Sequence, residues 1–409
     1  MSVDSSSKSI WGNKQFRKLF ASVSITSLGG WFDIFAIQII FAYSWHASPM
    51  LVGLLFVAYV APGMILGQFA GVLADRYNKK TLLIRTQIIC GILTVCLLLS
   101  PYPYLSLGIV VVRSCIETFW GPAQGAFLKE VIPPQMLLKA NAVISSMSSL
   151  AKIIGPLLGA AIIAYAKPQF CLLITAIGFF ISAATTYFIA YKPEAIQSVP
   201  LHIRQFFKEL SEGWRIIFRS KMLRSSCLIF IVCLFFAMLI EGQVSIFLRE
   251  IAPHQPDLLG HLMAVSGLGA LLAGIGLGKK AQIVSYRTHF GTSIILLGFG
   301  YVGLSGYLSV YESALLLYLL FFVGGVGLGW LVVVYSFVMQ HFTDQALMGR
   351  VGGISASIQC GAMVSGPLIG GALMHLFKGE YVFGSIGILL MLFGLGVACL
   401  KWTPESAVV

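Results

Sequence analysis

Five ionisable side chains interrupt stretches that are otherwise apolar: Asp33, Arg113, Glu117, Lys152 and Glu241. Inside hydrocarbon each such group costs about 2.5–3.5 kcal/mol on insertion scales, and it usually faces a polar pathway or a partner. The first four sum to zero charge. Arg113 and Glu117 stand four residues apart, share one helix face and can pair directly. Two chemistries are open to such a set: buried ion pairs that fix helix packing, or a network whose rearrangement moves a proton. A carboxyl in apolar surroundings takes up a proton more readily than one beside a fixed cation. By that argument Glu241, flanked by Leu239 and Ile240 with no basic residue following in its segment before Arg249, is one titrating candidate. Asp33 is the other, binding and releasing a proton as the neighbouring cations rearrange.

These residues must be positioned by elements that live in lipid. Of the 409 residues 58% are hydrophobic and only 10% charged, against about 25% charged in a soluble domain, so a water-soluble globule is excluded. Apolar segments long enough to span run over 19–44, 51–73, 82–100, 104–126, 140–165, 170–191, 224–248, 258–278, 289–308, 313–338, 351–376 and 381–400. Each must be helical, because hydrocarbon offers the backbone no external hydrogen bonds. With the N-terminus inside, 22 of the 27 basic residues fall on the inner side and only Lys167, Arg249 and Lys378 outside, which places both termini in the cytoplasm. The net charge of +12 therefore reflects topology and does not point to a nucleic-acid partner. The expected organisation is an inner tail over 1–18, a six-helix bundle over 19–191, a linker over 192–223, a second bundle over 224–400 and an inner tail over 401–409. No cleavable leader is expected. In the linker Ile203, Phe206, Phe207, Leu210, Trp214 and Ile217 recur at helical spacing between charges, as in an amphipathic helix on the membrane surface.

The eight cysteines lie in apolar runs without a CxxC pair, and His261, His289, His341 and His375 lack ligand spacing, so neither a disulfide framework nor a metal site is expected. No phosphate-binding loop or nucleophile elbow stands in a strand–helix context, and an enzyme is not expected. Aromatic side chains suited to lining a cavity for bulky cargo are Trp31, Phe119, Trp120 and Tyr335. The halves repeat: Gly155-Pro156-Leu157-Leu158-Gly159 returns 211 residues later as Gly366-Pro367-Leu368-Ile369-Gly370. Two parallel six-span repeats are a transporter architecture with the pathway between them.

The loop after the second span reads Gly71-Val72-Leu73-Ala74-Asp75-Arg76-Tyr77-Asn78-Lys79-Lys80. It resembles the G-x-L-a-D-r-x-G-r-k signature of the major facilitator superfamily, with Asn78 in place of a glycine, a mild change because asparagine tolerates left-handed backbone. The resemblance implies an all-α integral membrane fold of twelve helices in two pseudo-symmetric halves, in a bacterial inner membrane. It also implies that Gly71, Asp75, Arg76, Lys79 and Lys80 form a conformational latch, with Asp75 near the helix start at Gly349-Arg350. The second-half turn at Gly278-Lys279-Lys280 keeps the cations but not the aspartate. Gly155, Pro156 and Gly159, echoed by Gly366, Pro367 and Gly370, resemble the glycine–proline motif of the superfamily's antiporters, a helix-packing and bending device. Phe16-Arg17-Lys18-Leu19-Phe20, Gly121-Pro122-Ala123 and Lys139-Ala140-Asn141-Ala142 are similar to the branch of macrolide, multidrug and siderophore exporters.

In that frame Arg113 takes the place of the span-four arginine associated with proton coupling, and Asp33 completes a network with Arg113 or Lys152 if helices one, four and five meet. Asp33 is then favoured over Glu241, since the family fold sets helices one and four around the central cavity. The implied activity is alternating-access export of a small amphipathic organic molecule against protons, by a monomer in contact with membrane lipid and with the proton as its sole coupling agent. Uptake or facilitated transport of a metabolite or iron chelate, and lipid flipping, are the alternatives.

Overall fold

The computed structural model describes residues 10–191, 214–278, 285–310, 314–343 and 347–399. Among them there is no strand. The helices are α1 (Lys14–Ile39), α2 (Pro49–Arg76), α3 (Lys79–Leu98), α4 (Pro103–Glu117), α5 (Trp120–Val131), α6 (Leu137–Tyr165), α7 (Gln169–Tyr187), α8 (Lys221–Glu241), α9 (Val244–Ile251), α10 (Leu258–Gly278), α11 (Tyr286–Val310), α12 (Ala314–His341), α13 (Met348–Leu376) and α14 (Gly379–Cys399). Ten helical stretches are long and apolar enough to cross a membrane. The two expected spans outside that set are the fourth, which is broken, and the ninth, α11. Large apolar side chains such as Ile65, Leu99, Leu228 and Leu392 are exposed over half of their surface or more, as helices bathed in lipid require.

Local chemistry sets the boundaries. Asn13 caps α1, its side-chain oxygen accepting from the amides of Gln15 at 2.9 Å and Phe16 at 3.2 Å. Asn78 corrects the sequence reading: its backbone is extended (φ −61°, ψ 113°), not left-handed, and its side chain caps α3 by accepting from Thr81 N at 3.1 Å. The glycine it replaces is therefore exchanged for a helix cap. The expected fourth span, 104–126, is two helices. Pro122 has no N–H to give to Thr118 O, its ring crowds that carbonyl, and the chain breaks at Thr118–Phe119 between α4 and α5. The seventh, expected over 224–248, likewise divides at Gly242–Gln243 into α8 and α9. The end of α1 loosens into a π-helical turn over Ile40–Ser44.

The chain forms two compact units, Met1–Trp45 with Ala58–Leu201, and His46–Val57 with His202–Val409. The expected first bundle thus gives up the opening turns of α2. In unit 1, α7 packs along α1 and α3, α6 lies on α1, and α3 meets α4 and α5. In unit 2, α11 packs along α14 and α12, α10 along α12, and α13 along α8. The repeated glycine–proline segments occupy matching places. A Cβ on Gly155 would come 2.5 Å from Trp31 Cβ, and one on Gly366 would come 2.6 Å from Met238 Cβ. In each unit the first helix therefore rests against the fifth at a point where only hydrogen fits. The amphipathic linker segment lies mostly outside the described residues; within 214–219, which is helical, Trp214 stacks on Phe218 at 5.5 Å.

Candidate functional site

Only two charged side chains are fully buried among the described residues, and they face each other: Asp33 at 1% exposure and Arg113 at 2%. Asp33 sits well inside α1 on a face that also carries Ser22, Thr26 and Gly29, spaced by three or four residues. Arg113 comes from the last turn of α4. Its guanidinium grips the carboxylate as a two-pronged fork, Nη1 donating to Oδ1 at 2.7 Å and Nη2 to Oδ2. Two further groups complete the site. Tyr59 of α2 donates its hydroxyl to Asp33 Oδ2 at 2.7 Å, accepts from Arg113 Nη2 at 3.1 Å and lays its ring 5.6 Å from the guanidinium carbon. Thr94 of α3 accepts from Arg113 Nη1 at 3.2 Å and donates to Cys90 O at 2.8 Å. Arg113 Nε alone has no partner. Removing one member of such a pair leaves an uncompensated buried charge, a cost of about 3–5 kcal/mol.

The remaining charged candidates fall elsewhere. Glu117 ends α4 one turn beyond Arg113 and interacts electrostatically with both Arg113 and Asp33, but makes no ion pair with either. The direct Arg113–Glu117 pair expected from spacing is not formed, because the guanidinium is committed to Asp33. Lys152 is exposed on α6 and takes no part in the cluster. Glu241 closes α8 in unit 2 and interacts with Tyr301 of α11.

Of the aromatic candidates, Trp31 packs on Gly155, and Phe119 stands half-buried at the α4–α5 break. Trp120 packs against the apolar cluster of Phe16, Leu19, Phe127 and Leu128, so it serves a core. Tyr335 is buried in unit 2, stacked on Phe230 at 3.9 Å with its hydroxyl 2.5 Å from Ser355 Oγ. It borders a cavity of about 250 Å³ lined also by Met339, Thr343 and Gln359.

Of the expected latch, the surroundings of Gly71 and the side chains of Asp75 and Arg76 lie outside the described residues, and so do the side chain of Arg350 and the turn 279–284. Lys79 meets Glu130 Oε1 at 3.2 Å, and Tyr191 donates to the other oxygen of that carboxylate at 2.5 Å. Lys80 donates to Ile189 O at 2.8 Å, just past the end of α7.

Sequence reasoning missed Tyr59 and Thr94. It also missed a second buried cluster in unit 1, where Ser22 and Ser182 hydroxyls lie 2.7 Å apart, Thr186 and Thr26 join at 2.9 Å, and Gln87 Nε2 donates to Ser182 at 2.7 Å. A stripe of polar and small residues at three- and four-residue spacing inside apolar helices (22, 26, 29 and 33 on α1; 87, 90 and 94 on α3) is the signal that marks both.

With this geometry in view, the chain matches the Major Facilitator Superfamily family model over residues 19–252 and again over 244–408. The chain belongs to the major facilitator superfamily. As a superfamily member it is an integral membrane transport protein and not an enzyme. It is 30% identical over 398 residues to the MFS-type transporter YfiS of Bacillus subtilis (strain 168), covering 96% of this chain and 94% of that one. The multidrug efflux pump Tap of Mycolicibacterium fortuitum is 22% identical, over 82% of this chain and 86% of its own. The staphyloferrin A transporter of Staphylococcus aureus (strain NCTC 8325 / PS 47) is 22% identical, over 69% and 72%. Among solved structures, a bacterial homolog of the human lysosomal transporter Spinster superposes with a TM-score of 0.71 at 13% identity, over 96% of this chain and 99% of that one. A POT peptide transporter reaches 0.74 at 13%, over 96% and 95%. This superfamily member therefore shares the fold of those transporters, and in sequence it resembles drug and siderophore transporters.

Proposed function

We propose that this transporter exports a small amphipathic organic molecule across a bacterial inner membrane, in exchange for protons, by alternating access. The single observation that carries the reading is the buried Asp33–Arg113 pair with Tyr59 and Thr94 around it. Maintaining a charge pair in hydrocarbon is costly, and hydrophobic replacement of such pairs is often neutral or stabilising. A pair retained there with a hydroxyl hydrogen-bonded to each partner is suited to a charge-changing step. In the proposed cycle Asp33 takes a proton from outside while Arg113 is released toward Thr94 and Glu117, and cargo leaves as the proton passes inward. The distribution of 22 inner against three outer basic residues supports cytoplasmic termini.

The test uses purified full-length protein in liposomes with an imposed pH gradient. A panel of a lipophilic cation, a macrolide and an iron chelate is added, and proton movement is followed for the wild type, Asp33→Asn and Glu241→Gln. Cargo-triggered proton movement that disappears in Asp33→Asn and persists in Glu241→Gln is the expected result. Loss only in Glu241→Gln would move the proton site to unit 2. Cargo crossing without proton movement in the wild type would sink the antiport reading in favour of facilitated transport or lipid flipping.

A further inference from the structure

In unit 2 the last turns of α12 and the first turns of α13 border a cavity of about 250 Å³, with Phe230 of α8 against it. Each of the two helices presents one stripe to that space. Tyr335, Met339 and Thr343 follow one another at four-residue intervals on and just past α12, and Val351, Ser355 and Gln359 do the same on α13. The volume lies just below the range of small-molecule sites, about 300–1,000 Å³. One wall is aromatic: the rings of Phe230 and Tyr335 stack at 3.9 Å, within 6° of parallel.

The polar atoms divide into those already used and those still free. Gln359 Nε2 donates to Ser355 Oγ at 3.0 Å, and Tyr335 Oη donates to Cys227 Sγ at 3.9 Å. The hydroxyls of Ser355 and Tyr335 lie 2.5 Å apart. Since the tyrosine's one hydrogen goes to the sulfur, Ser355 gives its own to Tyr335 Oη. That chain consumes both hydroxyl hydrogens and leaves Gln359 with Oε1 and a second N–H. Thr343 takes no part in it. Thr343 is 7% exposed, and its Oγ1 is buried without a hydrogen-bond partner among the described residues. A buried hydroxyl left unpaired costs stability, and this one stands on the wall of a cavity, where an entering molecule can satisfy it.

We infer that this cavity is a cargo-binding site for an uncharged molecule that carries a planar ring and hydroxyl or amide groups, with Thr343 and Gln359 as its polar contacts. This rests on the reading of the chain as an exporter of a small amphipathic molecule and names the class of that molecule. The described lining supplies hydroxyls and carboxamides, which serve neutral donors and acceptors, while Phe230, Met339 and Val351 supply apolar surface for a ring. A full charge entering the cavity would lose its hydration and find no counter-charge among the described lining residues. Selection for the polar group comes from Thr343: a ligand that reaches Oγ1 pairs it, and one without that group gains nothing there.

The experiment is calorimetric titration of the full-length protein in lipid nanodiscs, without a pH gradient. One probe is para-nitrophenyl glucoside, a neutral ring carrying hydroxyls, and the other is para-nitrophenyl glucuronide, the same scaffold with a carboxylate. The glucoside is expected to bind, and the glucuronide about tenfold more weakly for want of a counter-charge. Thr343→Val is expected to weaken glucoside binding about five- to tenfold, the scale of one neutral hydrogen bond. The thermal midpoint without probe should stay or rise in that variant, because the substitution removes a group that had no partner; a threonine with a purely structural role would lose stability instead. Thr343→Ser keeps the affinity. Absence of glucoside binding, or equal affinity in Thr343→Val, overturns the site, and equal binding of the glucuronide overturns the uncharged class. The liposome assay separates this inference from antiport. A glucoside that binds and crosses without proton movement leaves the site standing and sinks antiport, whereas a proton-exchanging cargo that does not compete with the glucoside does the reverse.

Discussion

The two units share a pairing of helices but are held together by different chemistry. In unit 1 the centre is polar: Asp33, Tyr59, Thr94 and Arg113 close one level of the bundle, and Ser22, Thr26, Gln87, Ser182 and Thr186 close another. In unit 2 the matching interfaces are closed by backbone. A Cβ on Gly325 would lie 2.0 Å from Ser266 O on α10, and one on Gly298 would lie 2.6 Å from Gly387 O on α14. Lipid offers no hydrophobic drive between helices, so association rests on close packing and on interhelical hydrogen bonds. Unit 2 uses mainly the first and unit 1 adds the second. A seam of glycines has one tight arrangement, whereas a hydrogen-bonded charge pair can be re-wired by a proton. Unit 1 thus holds a buried charge pair at its centre, and unit 2 holds a neutral, hydroxyl- and amide-lined cavity beside Tyr335.

The sharpest way to break this contrast is at the charge pair. Arg113→Met is expected to cost about 3–5 kcal/mol in unfolding measured in detergent, because Asp33 is left buried and unpaired. Pairing it with Asp33→Leu should restore most of that loss while transport coupling stays absent; equal destabilisation of single and double variants would show that the pair is not the source. In unit 2, Gly325→Ala should cost about 1–3 kcal/mol through overpacking. Gly63→Ala in unit 1, with only Thr118 at 3.8 Å, should be silent in the same assay, and a similar loss at both would erase the distinction between the units. Tyr335→Phe removes the bond to Ser355 and should cost about 0.5–1.5 kcal/mol, read in the thermal midpoint. A smaller effect is expected at Ser182→Ala, about 0.6 kcal/mol, the average for such bonds between membrane helices. Ser293→Ala should do less still, since Ser293 bonds only to Phe290 O in its own helix.

Much of this was legible along the chain. The glycine–proline repeat at 155 and 366 announced two related halves, and both copies do sit at first-to-fifth helix contacts. Asp33 and Arg113 were visible as charges in apolar runs. What was not legible was their choice of partner. Spacing favoured Glu117 for Arg113, four residues away, yet the guanidinium crosses to a residue 80 positions distant. The reason is rotational: on one helix, positions four apart share a face, but which face turns inward depends on neighbours. Tyr59 was hidden for a related reason, since a tyrosine in an apolar helix is unremarkable until its hydroxyl is seen to end at Asp33. Lys152 carried the same sequence signal as Arg113 and yet lies exposed.

By itself the sequence determined the solvent, the helical character, the repeat and which charged residues interrupt apolar runs, because each follows from composition and local spacing against the cost of polar groups in hydrocarbon. Tertiary structure alone decided that Asp33 is held by Arg113 and Tyr59, that Glu117 and Lys152 stand apart, and that one unit is polar at its centre while the other is closed by glycine. Those outcomes depend on how helices distant along the chain are rotated and pressed together, a relation that no spacing within a single helix encodes.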